Sequence, residues 1–159
     1  MKITILCVGK IKEKYFSDAI KEYAKRLGRY CRLEIVEVAD EKTTENASRR
    51  EEELIRQKEG DRLRKYIKED AYVIALAIEG KQMSSEEFSD KLHSLGLHGE
   101  SHIVFLIGGS IVLDAGLLKE ADFLLSFSKM TFPHHLARVM LLEQIYRGFQ
   151  IKEGSKYHK

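Results

Sequence analysis

Residues 71–78 read AYVIALAI and residues 103–109 read IVFLIGG. Both runs are nearly unbroken in apolar residues and short enough for strands. A strand with no polar alternation is one covered by helices on both faces, which is the environment of a parallel sheet. Glu79, Gly80 and Lys81 end the first run, and Gly108 and Gly109 stop the second. Between them Ser84 and Glu87 match a capping box, and Phe88, Leu92 and Leu95 carry the helical period onward. Toward the N-terminus, KITILCVG at residues 2–9 and RLEIVEV at 32–38 read as two more strands. A helix between these strands places Tyr15, Ala19, Tyr23 and Leu27 beside Phe16, Ile20 and Ala24 in one apolar stripe. The charged stretch from Ala47 to Lys68 reads as an exposed helix anchored by Leu54, Ile55, Leu63 and Ile67, with Gly60 a point of interruption. DFLLSFS at 122–128 is a fifth strand-like segment. Strands alternating with helices predict one α/β domain over residues 1–159, with a mainly parallel five-stranded sheet and helices on both faces.

The last helix starts near Pro133, the only proline and a residue suited to a first helical position, and runs to about Gln150. Leu136, Val139, Met140, Leu141, Leu142, Ile145, Tyr146 and Phe149 cover more than one of its faces. A helix of that kind is buried on several sides, and in a domain this small one side suits a second copy, so a homodimer is expected.

Composition narrows the function classes. The two cysteines, Cys7 and Cys31, give no disulfide framework, and no apolar run approaches the ~18 residues of a membrane helix. A cytoplasmic protein with no membrane partner is the expectation. The net charge of +2 conceals an asymmetry: residues 1–30 carry +5, residues 31–128 carry −7 and residues 129–159 carry +4. Two basic ends brought to one face would meet phosphates, although a solvated surface gives the same count.

In open parallel sheets ligands collect beyond the carboxyl ends of the strands. Three such exits stand out, at Leu76 to Lys81, Gly108 to Ser110 and Phe127 to Phe132. Paired glycines after a strand admit a ligand close to the backbone, and they equally make a tight turn. The dinucleotide fingerprint and the Walker loop are absent, and Gly9 stands alone after the first strand. No cluster has metal spacing, and His134 and His135 point to different helix faces, so no metal is expected. On the last helix Glu143 and Arg147 form one i, i+4 pair and His134 and Arg138 another. The ending GSKYHK puts an aromatic ring, an imidazole and two lysines within four residues, suited to stacking on a base beside phosphates, or simply to a frayed end.

The stretch FSKMTFPHHLARVMLLEQIYRGFQI, the terminal YHK, LIGGS and the opening KITILCVGK resemble the RlmH family, the bacterial large-subunit rRNA pseudouridine N3-methyltransferases of the SPOUT class. The similarity covers essentially the whole chain. It implies a C-terminal trefoil knot, a feature that patterning alone argues against because knotted chains are rare. It also implies S-adenosylmethionine as methyl donor and ribosomal RNA, in the ribosome, as partner. Carried over by residue, the donor pocket falls on Leu76, Gly108, Phe127, Ser128, Lys129, Met130, Thr131 and Phe132. The catalytic and RNA-contacting set falls on Glu143, Arg147, Tyr157 and His158, with His134 and Arg138 nearby. One departure follows Gly109: relatives place another glycine shortly after it, whereas here Ser110, Ile111, Val112 and Leu113 precede Asp114 and Gly116. For an in-line transfer to N3, His158 or Glu143 is the candidate proton acceptor, Arg147 the group facing the ring anion and Tyr157 the orienting ring. A ribosome-binding factor of the same fold without catalysis is the alternative. A nucleotide-binding enzyme of another class is disfavoured by the missing phosphate loops.

Overall fold

The computed structural model describes residues 1–159. The elements in chain order are β1 (Lys2–Val8), α1 (Lys14–Leu27), β2 (Arg32–Val38), α2 (Arg49–Arg64), β3 (Tyr72–Gln82), α3 (Ser85–Leu97), β4 (His102–Ile107), α4 (Ala115–Glu120), β5 (Phe123–Ser126) and α5 (His134–Glu153). All strand pairings are parallel, in the order β2-β1-β4-β3-β5.

Strand geometry sends alternate side chains to opposite faces, and two cores result. Ile3, Ile5 and Cys7 of β1 join Ile103, Phe105 and Ile107 of β4 beneath α1, α3 and α5. Leu6, Val8, Val104 and Leu106 face the other way, toward Leu63 of α2 and Leu117 of α4. Every residue of β4 is buried, as an unbroken apolar run requires. The one polar pair inside this sheet is satisfied by a hydrogen bond between Thr4 Oγ1 and His102 Nε2 at 2.8 Å. Ser84 accepts from the Glu87 amide and Glu87 returns a bond to the Ser84 amide, completing the capping box that starts α3.

Several features differ from the sequence reading. β3 does not stop at Glu79 but continues to Gln82, because after a register shift Lys81 and Gln82 pair with Leu125 and Ser126 of β5. Gly80 makes this possible: a Cβ there would lie 2.7 Å from the Leu124 backbone, so only glycine permits the close passage. Gly60 does not interrupt α2, since its bare face receives Asp114, whose Cβ would be 3.1 Å from a Gly60 Cβ. That helix is also not wholly exposed, because Glu59, Gly60 and Leu63 are buried. The six-residue α4 was absent from the sequence reading, its period being too short to register. α5 runs on to Glu153, where Gly154 takes the left-handed conformation (φ 69°) and closes it, and Pro133 is its N-cap rather than its first residue. Leu141, Leu142 and Ile145 anchor α5 in the larger core, each at 1% exposure or less, and each such burial contributes roughly 2 kcal/mol. No helix is long and apolar enough to cross a membrane.

Candidate active site

The three strand exits converge on one cavity of about 550 Å³. Leu76, Gly108, Phe127, Ser128, Met130, Thr131 and Phe132 line it, with Pro133 and His134 from the start of α5; Lys129 does not. The loop Gly109–Leu113 forms another wall. Neither Gly108 nor Gly109 has positive φ. Their bareness serves packing instead. A Cβ at Gly108 would lie 3.1 Å from the Ile111 carbonyl and 3.3 Å from the Leu113 amide, and one at Gly109 would meet Val8 at 3.1 Å. The loop therefore folds back onto its own strand end. Its far end is tied to α2, where Arg64 Nη2 donates to Asp114 Oδ2 at 2.9 Å. Across the cavity Ser128 Oγ accepts from the Met130 amide at 3.0 Å, and Ser126 Oγ donates to the Ser128 carbonyl at 2.9 Å. Burial, then the neighbouring His135 and Arg138, hold the His134 imidazole below its ordinary value.

Arg138 does not belong with the acceptor residues, as the resemblance had suggested. It is 1% exposed. Its Nη2 donates to the carbonyls of Val8 and Gly9 at 2.8 and 2.7 Å, and its Nη1 to Glu37 Oε2 at 2.7 Å. It thus ties the first turn of α5 to the ends of β1 and β2. An i, i+4 spacing identified its helix face but not what that face covers.

Glu143, Arg147, Tyr157 and His158 do come together. Glu143 Oε1 accepts from Arg147 Nε at 2.8 Å and from the Tyr157 hydroxyl at 3.2 Å. The tail folds back so that the Tyr157 ring meets Tyr146 edge-on at 4.9 Å and carries the Arg147 guanidinium at 4.7 Å. Burial and the adjacent Glu143 push the Tyr157 phenol up to about 12. His158 Nδ1 lies 3.0 Å from Arg147 Nη1, and its Nε2 lies 2.6 Å from Glu86 Oε1 at the start of α3. Because a guanidinium only donates, Nδ1 accepts here and Nε2–H is given to Glu86. Sequence reasoning missed Glu86, which meets His158, Tyr146, which meets Tyr157, and Tyr23 and Arg26 of α1, which pack against Tyr146. The tyrosines lay inside apolar stripes, and only their need for a polar contact at the hydroxyl marked them as different from Leu or Phe. None of the four carried-over residues lines the cavity of its own chain.

The fold resembles that of solved structures. One, described as a probable methylase family protein from Haemophilus influenzae, superposes with a TM-score of 0.57 at 12% identity, covering 99% of this chain and 70% of that one; this likeness concerns the fold. Residues 1–158 match the family described as Predicted SPOUT methyltransferase, which places the chain in the SPOUT class of methyltransferases. The ribosomal RNA large subunit methyltransferase H of Bifidobacterium adolescentis is 65% identical over the full 159 residues of both chains. Those of Clostridium kluyveri and Clostridium beijerinckii are each 58% identical over the same full length. The chain belongs to the RlmH family.

Proposed function

We propose that this protein carries a methyl group from S-adenosylmethionine to N3 of a pseudouridine in large-subunit ribosomal RNA, acting as a cytoplasmic homodimer on ribosomal particles. The observation that carries the reading is the division of the site, with a cavity at the strand ends and a separate cluster of carboxylate, guanidinium, phenol and imidazole on α5 and the tail. The cavity's 550 Å³ lies within the range of roughly 300–1,000 Å³ usual for small-molecule sites. Apolar walls from Leu76, Ile107 and Phe127, with backbone from the two loops, fit a nucleoside ring and its polar edge. The resemblance implies a trefoil knot, and the backbone at Gly80 passes close to that of Leu124 and Leu125 beside the cavity.

Dimerisation joins the two parts. Leu136, Val139 and Met140 leave an apolar stripe on α5 that its own chain does not fully cover, in line with Glu143 and Arg147. A two-fold partner on this stripe would bring the cluster of one copy to the cavity of the other.

The donor supplies an electrophilic methyl; the protein's part is positioning and proton handling. As N3 forms its bond to carbon, the sulfur–carbon bond breaks and the N3 proton leaves. Tyr157, held protonated, orients the ring and donates rather than accepts. Arg147 stabilises the anion of the acceptor ring. When it turns to that ring it frees His158 Nδ1, which takes the proton, while Glu86 steadies the imidazolium through Nε2–H. Glu143 holds Arg147 and Tyr157 in place.

The test is transfer of labelled methyl to ribosomes from a strain lacking this activity, followed by nucleoside analysis. Label in N3-methylpseudouridine is expected. Donor bound with no transfer to any ribosomal particle would favour the non-catalytic ribosome factor instead.

A further inference from the structure

We propose that the solvent face of α1, carrying Lys14, Lys21, Lys25 and Arg29, is the track on which the RNA phosphate backbone docks beside the acceptor base, and that Arg26 joins this track to the base site. The inference rests on the RNA-methyltransferase reading above. α1 buries Leu27 and packs Ile20 and Tyr23 against the larger core. Helical geometry puts Lys14, Lys21 and Lys25 within about 40° of one another on the opposite side, with Arg29 just beyond the last turn. All four side chains are exposed. None is paired with a carboxylate; on α2, on the other side of the sheet, Arg56, Arg62 and Arg64 are paired with Glu52, Glu41, and Asp61 and Asp114, and Arg49, Arg50 and Lys58 are unpaired but adjoin no aromatic cluster. Asp18 lies within the stripe, and Glu22 at its edge is held by Arg26.

Unpaired lysines on a helix are ordinary. What distinguishes these is continuity with the acceptor cluster. The Arg26 guanidinium, held by Glu22 at 3.1 Å, lies 5.5 Å from the Tyr23 ring centre and 5.6 Å from that of Tyr146. Tyr146 meets Tyr157, which carries Arg147. Two guanidinium groups, Arg26 and Arg147, therefore flank the Tyr146–Tyr157 pair in one continuous chain of contacts from the end of α1 to the tail. Single-stranded RNA bases stack on surfaces of this kind while lysines follow the backbone. The sequence asymmetry agrees: the whole chain carries only +2, but its first 30 residues carry +5. A protein so nearly neutral gains little from its overall charge and must present one face.

The test compares two triple variants of the full-length protein that lose the same charge. Lys21→Ala/Lys25→Ala/Arg29→Ala strips the track. Arg49→Ala/Arg50→Ala/Lys58→Ala strips exposed cations from α2 on the opposite face. For the α1 triple, KM for ribosomes at physiological salt should rise about tenfold or more, and the slope of log KM against log salt should fall by about two, the value for three lost contacts to single-stranded phosphates. Its kcat and its affinity for S-adenosylmethionine should stay unchanged. Lys21→Arg/Lys25→Arg/Arg29→Lys, which keeps the charge, should restore KM, and the α2 triple should stay within about twofold of the parent. Equal rises in the two Ala triples would reduce the effect to net charge and overturn the proposal. An α1 triple with unchanged KM beside an active parent would overturn it and leave the RNA reading standing. A parent inactive on every ribosomal particle would overturn both.

Discussion

Replacing Arg138 by Met keeps most of the buried stem and removes the guanidinium, so it isolates the hydrogen bonds that tie α5 to the sheet. Two of the three are to the Val8 and Gly9 carbonyls, and a buried acceptor left without its donor costs about 1–3 kcal/mol. The third partner, Glu37, has a side chain 32% exposed and also accepts from the Ile11 amide. It can turn to water, so its loss counts for less than a fully buried pair. The expected sum is about 3–5 kcal/mol, a large part of the ~5–15 kcal/mol that holds a domain together. Urea unfolding at fixed protein concentration, with the slope checked for constancy, measures it. Because His134, one turn before Arg138, and the adjacent Ala137 line the cavity, donor affinity of the folded fraction should fall as well. Arg138→Lys should lie between the two. A loss below about 1 kcal/mol in Arg138→Met would refute the clamp, since the unpaired carbonyls alone should exceed it.

Gly108→Val should weaken S-adenosylmethionine binding by displacing the loop, because its new Cβ meets the Ile111 carbonyl at 3.1 Å; unchanged affinity in calorimetry would separate the loop from the donor site. Deleting residues 156–159 should lower methylation by orders of magnitude with donor affinity nearly kept. Its stability cost, about 1 kcal/mol from the lost Tyr157 contacts, should be visible in the same urea assay. Tyr157→Phe keeps the ring and should retain most of the rate. The phenol, at about 12, should add no limb to the pH–rate profile below about pH 10. His102 is held below the usual histidine value of 6.5 by burial and by Lys2. The unfolded chain then takes up a proton first as pH falls, so stability is full above that value and declines below it toward the folded pKa. Urea midpoints at about pH 7.5 and about pH 5.5 should show the decline, and His102→Asn should flatten it in part, leaving the share of His134.

The α/β class and the strand exits were legible because apolar runs report burial and glycines report where a strand ends. What the sequence could not express was which elements lie against each other. Glu79, Gly80 and Lys81 are turn residues by type, yet they continue a strand because β5 lies beside them. Gly60 has the composition of a helix break and the role of a socket for Asp114. Arg138 and Arg147 are alike in local pattern, each the second member of an i, i+4 pair; one is enclosed by strand ends and the other faces the tail. The resemblance supplied the grouping of Glu143 with Tyr157 and His158, which local pattern would have left as an ion pair and a loose end. It did not supply Tyr23 or Arg26, because their partners are on α5.

The bond from Arg138 to Val8 spans 130 residues, and Tyr30 reaches Glu153 across 123. A ribosome releases β1 and β2 long before α5 exists, so during synthesis the face of the sheet that α5 will cover stays open. Leu141, Leu142 and Ile145 complete the larger core, and they are made after every strand of the sheet. Closure of such distant contacts is slow, since loop entropy is lost before contact energy is gained. Completion of the larger core should therefore wait for α5, and the nascent chain before that point, with an apolar sheet face exposed, is a natural client for chaperones.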